Sequence, residues 1–307
     1  MKIPHVLVSG LLNVETVVPV EGFPIPYCPI TYPFHQVHTA ASGVALNLGC
    51  ALHGLGSHVQ VFSTVARDGA SMLIRQAMRE TGLSEEGLYE MLPETPLSVV
   101  LHAPDGGRRI FCDLKAAQTT RYPPEAQARA FGGKQRPDLA ILCNIEFSRP
   151  WLAPAKAAGC IIATDLHVFS DPADAYHADF LQAADIVFLS HEGLPCAPVD
   201  FFPLLQARTA ARIMVITMGK DGAMLHERES GATRHVPAVP TRAVVDSVGA
   251  GDATLAAFCH HYLCGDAPEL ALRKAMVFAS WKIGESGGAR GFPEPETYAR
   301  LLREHVR

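Results

Sequence analysis

The segment Val245–Thr254 carries the residues best suited to chemistry in this chain. Its order, Val-Asp-Ser-Val-Gly-Ala-Gly-Asp-Ala-Thr, predicts a strand end, a glycine turn and a helix over Ala253–Leu263. Gly249 and Gly251 allow a tight turn that brings backbone N–H groups close to a ligand. The positive end of the following helix dipole adds to those donors, so the turn is a candidate anion site.

Asp252 stands at the start of the same helix, where the dipole favours its ionised form. A carboxylate base beside an anion site is what transfer of a phosphoryl group to an alcohol needs. The simpler alternative is a glycine-rich turn with an aspartate cap before a core helix. This segment alone does not choose between the two interpretations.

The composition bounds the class of protein. The 307 residues are 48% hydrophobic and 19% charged, which fits one large α/β domain or two smaller ones. The formal net charge of −5, with no long basic run, argues against a nucleic-acid partner. The sequence contains no apolar run of about 18 residues, so no membrane span is predicted. The short apolar start at residues 1–8 predicts a first buried strand rather than a signal peptide.

The cysteines and histidines give no metal or disulfide pattern. The eight cysteines include no Cys-x-x-Cys pair, and several, such as Cys143, lie in apolar runs. We expect reduced, buried thiols in a cytoplasmic protein. The closest histidine groupings are His35 with His38 and His260 with His261, and no zinc-protease motif surrounds them. Surface or core positions are the expected places for these histidines.

Short apolar segments alternate with helical ones along most of the chain, and the later segments are apolar over most of their length. This is typical of parallel strands covered on both faces, so the pattern predicts a doubly wound α/β sheet. The predicted strands are 6–9, 59–64, 139–143, 161–165, 186–189 and 213–218. The predicted helices between them are 45–53, 70–81, 151–158, 173–183 and 201–210.

Two segments interrupt this alternation. Residues 14–37 carry five prolines, and residues 97–112 predict two strands joined by an Asp-Gly-Gly turn. We expect them to form a small β lid, from about 11–40 and 95–115, within a single domain of residues 1–307. Near the end, a long helix is predicted from Asp266 to Gly287-Gly288, and a final helix after Pro295.

Three motifs in order give the chain a resemblance to the ribokinase-like (PfkB) carbohydrate kinase family along essentially its whole length. They are Ala-Ser-Gly-Val-Ala-Leu-Asn at 41–47, Ile-Thr-Met-Gly-Lys-Asp-Gly-Ala at 216–223 and Asp-Ser-Val-Gly-Ala-Gly-Asp at 246–252. The resemblance implies a three-layer α/β/α sandwich with a central, mostly parallel sheet and a small β-sheet lid. It also implies ATP as phosphoryl donor, Mg²⁺, and a sugar or nucleoside as acceptor.

The resemblance assigns roles to several residues of the two C-terminal motifs. Asp252 matches the catalytic base, and Gly249, Ala250 and Gly251 match the anion hole. Three residues are expected to bind the nucleotide: Thr217, Gly219 and Gly222. The last two glycines also fit a simple turn between strands.

The resemblance also implies residues that bind the acceptor. Two positions in these segments differ from the family pattern. The expected substrate-binding residues are Asn13, Glu15, Gly43, Asn47 and Glu146. Glu15 stands where an aspartate is usual, and Ser42 stands where a glycine is usual. Paired carboxylates suit a polyol, whose hydroxyls all donate hydrogen bonds. The alternative is that Glu15 and Glu146 are solvated loop residues.

The metal environment also departs from the family pattern. Ser190 replaces an asparagine, and Glu192 comes one residue early as a ligand of Mg²⁺ through water. Asp246, with carbonyls near Gly288, matches a monovalent-cation site that would bind K⁺. Arg108 and Arg109 fit either a grip on a phosphorylated substrate or charges that keep a sheet edge from aggregating.

The leading hypothesis is an ATP-dependent sugar kinase that works as a homodimer paired through the lid. A nucleoside kinase is the alternative of the same class, since aromatics in 23–34 could stack on a base. A non-catalytic sugar or nucleotide sensor is the alternative from another class. The glycine spacing after the first strand argues against a nicotinamide dehydrogenase, and no P-loop sequence occurs.

Overall fold

A computed structural model describes residues 3–104, 107–133 and 136–306. Its large sheet has nine strands, of which β12 and β13 run antiparallel at one edge and the others pair in parallel. In spatial order the strands are β13 (Ala232–Val236), β12 (Ala223–Glu227), β11 (Ile213–Thr217), β10 (Ile186–Ser190), β9 (Ile161–Val168), β8 (Leu139–Leu142), β1 (His5–Ser9), β4 (His58–Val65) and β5 (Leu88–Glu90).

Helices cover both faces of this sheet. Along β1, Val6 and Val8 belong to one buried cluster and Leu7 to the other, because successive side chains of a strand point to opposite faces. One cluster packs under α1, α7 and α8, and the other under α3 to α6. The helices are α1 (Val44–Gly54), α2 (Gly69–Glu80), α3 (Pro124–Phe131), α4 (Leu152–Ala157), α5 (Ala178–Ala183), α6 (Pro198–Gln206), α7 (Ala250–Leu263), α8 (Pro268–Lys282) and α9 (Pro295–His305). The three-layer α/β/α prediction is confirmed.

A second, smaller sheet is built from the two segments that interrupt the α/β pattern. Its order is β3 (His38–Ser42), β2 (Asn13–Pro19), β6 (Leu97–His102) and β7 (Arg108–Asp113), with β2 and β6 parallel. The predicted turn at Asp105-Gly106 lies outside the described residues. We call these four strands the small sheet.

Several element bounds differ from the sequence predictions. No strand precedes the glycine turn, since residues 237–249 are irregular, and α7 already begins at Ala250. The next helix begins at Pro268, whose fixed φ suits a first helical position, so Asp266 is not its cap. Asp266 instead accepts a hydrogen bond from Lys274. This helix ends at Lys282, before the predicted Gly287-Gly288 stop.

Two further differences from the sequence predictions concern one helix and three strands. The predicted helix 173–183 is helical in its second half, from Ala178, after a 3₁₀ turn. Strands β5, β12 and β13 were not predicted from the sequence. Within the described ranges, no helix combines the length and apolar character needed to cross a bilayer.

Candidate active site

The glycine turn before α7 is shaped by a close backbone contact. Gly249 has φ of +73°, and a Cβ there would lie 2.7 Å from the Gly288 carbonyl oxygen. A Cβ on Gly251 would find Asp165 Oδ2 as its nearest neighbour, 3.9 Å away. Gly249 is therefore required by the protein itself, whereas the space beside Gly251 is open to a ligand.

The donors of this turn come from the first residues of α7. The Ala250 N–H donates to the Ser247 carbonyl at 3.1 Å, so this predicted anion-hole group is already bonded. Helix geometry leaves the N–H groups of Gly251 and Asp252 without an acceptor inside α7, and no side chain caps the helix start. With the helix dipole behind them, these donors suit a phosphate group.

Asp252 lies buried at the start of α7, with 8% of its surface exposed. The Asn47 side chain, on α1, donates from Nδ2 to Asp252 Oδ2 at 2.7 Å. Burial raises the pKa of Asp252 to about 6, against the opposing effects of His167, Asn47 and Lys282. A buried carboxyl with a pKa near neutrality is suited to take a proton from a hydroxyl.

Two residues that the sequence analysis did not single out lie beside Asp252. Asp165 is buried near the end of β9, and its charge contributes to the raised pKa of Asp252. His167 donates its backbone N–H to Asp165 Oδ1 at 2.8 Å, and its ring Nδ1 lies 3.6 Å from Oδ2. One signal was available, because ligands of open α/β sheets bind at the carboxyl ends of the strands and Asp165 ends a predicted strand.

A cavity of about 750 Å³ runs along the carboxyl ends of the central strands. It extends from Arg108 on the small sheet, past Asp252, to the irregular segment at Ala238–Arg242. Its volume is in the range of small-molecule and cofactor sites. Nine of the predicted site residues line it: Ser190, Glu192, Thr217, Gly219, Gly222, Gly249, Ala250, Gly251 and Asp252.

The predicted nucleotide residues form the far side of this cavity. Gly222 has φ of +89°, and a Cβ there would lie 2.1 Å from the Val236 carbonyl oxygen, so strand packing already requires it. Gly219 has φ of +56° and open space where a Cβ would be. Thr217 donates its hydroxyl to the Leu189 carbonyl at 3.3 Å. Of the two glycines, Gly219 is therefore the one whose free side is available to a ligand.

Ser190 ends β10 and Glu192 follows it, at the same edge of the large sheet. The Glu192 N–H donates to Ser190 Oγ at 3.2 Å, while the Glu192 side chain is exposed. Among the described residues, no three His, Cys, Asp or Glu side chains gather as metal ligands. Mg²⁺ usually keeps several waters and takes one or two carboxylates, so Asp165 and Glu192 fit such a role beside donor phosphates.

The predicted acceptor residues Asn13 and Asn47 each leave one buried atom unsatisfied. Asn13 Nδ2 donates to Ser98 Oγ at 2.7 Å, and Asn47 Nδ2 donates to Asp252 Oδ2. Neither amide Oδ1 has a hydrogen-bond partner within the described ranges. Because buried polar atoms are normally bonded, these two oxygens point to a hydrogen-bond donor that a bound hydroxyl would supply.

Gly43 helps to position Asn47 through its backbone. It has φ of +111°, and a Cβ there would lie 2.4 Å from the Leu11 carbonyl oxygen. That carbonyl accepts from the Ala45 N–H at 3.1 Å, which fixes the start of α1 and thereby Asn47. The glycine is required by this close approach of two backbone segments.

The small sheet contributes Glu15 and Arg108 to the neighbourhood of the turn. Burial is the main cause that raises the pKa of Glu15, and the Asp246 charge adds to it, while Lys282 and Arg108 oppose. Arg108 donates to Ser247 Oγ at 3.2 Å and lines the cavity. Arg109 instead stacks over Phe111.

Glu146, like the other four predicted acceptor residues, is not among the described residues that line this cavity. Its Oε1 accepts from Arg149 Nε at 3.0 Å and lies 2.9 Å from Nη2. Arg149 also pairs with Asp179. Of the five predicted acceptor residues, Glu146 is thus the one whose carboxylate is committed to a neighbouring arginine.

The predicted monovalent-cation site at Asp246 does not fit a metal ion. The Asp246 carboxylate accepts from the N–H groups of Val248 and Gly287, each at 2.9 Å. The Val248 carbonyl accepts from the buried Lys282 ammonium. Two oxygen groups that a K⁺ ion could use, the Asp246 carboxylate and the Val248 carbonyl, therefore already accept hydrogen bonds.

The fold and the site together define a phosphotransferase with an alcohol acceptor. The comparison with protein families agrees, since the pfkB family carbohydrate kinase model matches residues 4–295. The chain belongs to this family.

Individual relatives show the range of acceptors within the family. The chain is 26% identical to acarbose 7(IV)-phosphotransferase of Actinoplanes sp., over 90% of this chain and 91% of the relative. It is 25% identical to an ATP-dependent ribose-1-phosphate kinase of Halopiger xanaduensis, over 98% of both. Among solved structures, a microbiome-derived acarbose kinase, Mak1, superposes with a TM-score of 0.86 at 27% identity, covering 99% and 100% of the two chains.

Proposed function

We propose that this protein transfers the γ-phosphoryl group of ATP to a hydroxyl of a small sugar, with Asp252 as general base. The observation that carries the proposal is the buried Asp252 carboxyl at the mouth of the glycine turn, held by Asn47. The family supports ATP as the donor. Mg²⁺ bound to the donor phosphates would neutralise charge in the transferring group.

The chain's own residues account for the remaining steps. Asp252 accepts the proton of the acceptor hydroxyl and orients its oxygen towards the phosphorus. The N–H groups of Gly251 and Asp252 stabilise the charge that develops on the transferring phosphoryl oxygens. Thr217 and Gly219 border the space for the nucleotide. The small sheet, with Arg108 next to Ser247, acts as a lid that excludes water when both substrates are bound.

A sugar-like acceptor is supported by the polar atoms on the acceptor side. The free amide oxygens of Asn13 and Asn47 and the carboxylate of Glu15 are all acceptors, and sugar hydroxyls are donors. Asn13, Glu15 and Asn47 do not line the cavity in the described structure, and neither do the aromatic residues that motivated a nucleoside acceptor. These aromatic residues are exposed, and Tyr32 stacks on Phe34 with 6.0 Å between ring centroids.

The small sheet also supports a homodimer as the working state. Its two edges are β3 and β7, and one face exposes Val99 of β6 and Phe111 of β7, which pair in register. Uncovered edges and apolar side chains of this kind need a partner surface. A second copy of the chain, paired through the small sheet, would cover both.

The test is ADP release with Mg-ATP against pentoses, hexoses, sugar phosphates and nucleosides, with Asp252→Asn as the blank. We expect turnover that depends on a sugar and disappears in the variant. Nucleosides that turn over better than every sugar would replace the sugar proposal by the nucleoside one. A chain that binds ATP or a sugar and turns over none of the panel would favour the sensor alternative.

A further inference from the structure

Lys282, the last residue of α8, lies completely buried beneath the glycine turn. Its Nζ donates to the carbonyl of Val248, the residue directly before Gly249. A buried ammonium is costly unless acceptors and opposite charges surround it. Burial lowers the pKa of Lys282, and the charges of four carboxylates oppose that fall: those of Asp246, Asp252, Glu15 and Glu285. In its ammonium form the lysine places a positive charge under the turn.

The family resemblance puts a monovalent metal ion at Asp246 with carbonyls near Gly288, beside this turn. Such an ion binds through oxygen atoms, and here the Val248 carbonyl is already bonded to Lys282. The Asp246 carboxylate is bonded to backbone N–H groups of both flanking loops and to the Ser286 hydroxyl. A K⁺ ion that shared the Val248 carbonyl would also face the ammonium charge in a buried place, where like charges repel strongly.

We propose that the Lys282 ammonium takes the place of the monovalent metal ion, so that this enzyme works without K⁺. Lys282 acts as a positioning residue, because it holds Val248 and thereby the N–H groups that follow Gly249 towards the phosphate. The effect on turnover rests on the proposed kinase function. The expected absence of a bound ion does not depend on the kinase function. The prediction about ion binding and the prediction about turnover can therefore fail separately.

The wild-type chain provides the first test. Crystals soaked in rubidium chloride should show no anomalous peak beside the Val248 carbonyl and Asp246. At equal ionic strength, turnover and melting temperature in potassium chloride and in tetramethylammonium chloride should agree, with turnover within about twofold. A rubidium peak at this place, or strong and saturable activation by K⁺, would overturn the proposal.

The variant Lys282→Met gives the converse test, because methionine keeps most of the apolar stem and frees the position of Nζ. We expect turnover to fall about 10- to 100-fold in tetramethylammonium chloride and to recover in part in potassium chloride. The variant should also melt higher in K⁺ and gain the rubidium peak. The control is Lys274→Met on the same helix, whose ammonium pairs with Asp266 at 2.6 Å. A folded Lys282→Met variant with no response to K⁺ would contradict the proposal, and if it does not fold the wild-type test decides.

Discussion

The floor of the site and the small sheet over it differ in how tightly their residues are held. On the floor, Gly249, Gly288 and Asn47 are packed so closely that a single Cβ on either glycine would collide with a neighbour. On the small sheet, β7 is exposed along its whole length, and Arg108 reaches the turn through one hydrogen bond. The floor has the rigidity that charge stabilisation requires, whereas the small sheet can move with the substrate.

Gly288→Ala is expected to damage the floor most. A Cβ at this position would lie 2.6 Å from both amide atoms of Asn47, which itself holds Asp252. We expect a loss of about 1–3 kcal/mol in the free energy of unfolding from overpacking. Displacement of Asp252 should lower kcat on the order of 100-fold. Denaturant melts and steady-state kinetics measure the two effects.

The matched control is Gly54→Ala, at the end of the same helix as Asn47. In the described structure a Cβ there meets nothing within 4 Å. Its kcat and unfolding midpoint should stay close to those of the wild type. Equal damage from both substitutions would mean that the floor is no tighter than the rest of the molecule.

The pH dependence of kcat/KM should report Asp252. Since the pKa of this carboxyl is raised to about 6, it takes up a proton as the pH falls through that value. The base is then lost, so kcat/KM should fall about tenfold per pH unit below pH 6 and level off above pH 7. Because the hydrogen bond from Asn47 lowers this pKa, Asn47→Ala should move the fall to higher pH. A profile that stays flat down to pH 5 would remove Asp252 as the base.

A smaller effect is expected from the two predicted acceptor carboxylates, Glu15 on the small sheet and Glu146 after β8. Glu15→Gln removes a charged acceptor, and the acceptor KM should rise about tenfold with little change in kcat. Glu146→Gln should raise KM less, because Arg149 already holds that carboxylate. Acceptor titrations at saturating ATP measure both. A larger effect at Glu146 would mean that its pairing with Arg149 changes when the substrate binds.

The smallest effect on turnover is expected from the outer surface of the small sheet. Replacing Val99 and Phe111 together by serine should convert a dimer to a monomer in light scattering at micromolar concentration. The control is Met72→Ser on α2, which removes a still more exposed apolar side chain outside the small sheet. A wild-type chain that is already monomeric at this concentration would refute the dimer.

The sequence was most informative at positions where the local backbone conformation allows only one or a few residue types. The glycines of the turn and Asp252 could be placed because tight turns and helix starts restrict the residue types that fit. Contacts between distant segments could not be read in the same way. Nothing local to His167 or Lys282 shows that folding brings them beside Asp252, and Asp165 gave only the general signal of a strand end.

The element bounds show the same difference. The apolar strands of the large sheet were predicted to within a few residues, since a buried strand needs an uninterrupted apolar run. The edge strand β13 and its neighbour β12 are partly polar, and β13 is also exposed, so their sequence lacks that signal. The start of α8 was misplaced because Asp266 resembles a cap, although its carboxylate is used by Lys274.

The most direct test of the central claim is the phosphoryl-transfer step itself, measured in a single turnover with the best acceptor for the wild type, Asp252→Asn and the exposed control Asp200→Asn. We expect the rate to fall about 10²- to 10⁴-fold in Asp252→Asn, with ATP affinity retained, and to stay unchanged in the control. A rate for Asp252→Asn within threefold of the wild type would show that another group takes the proton.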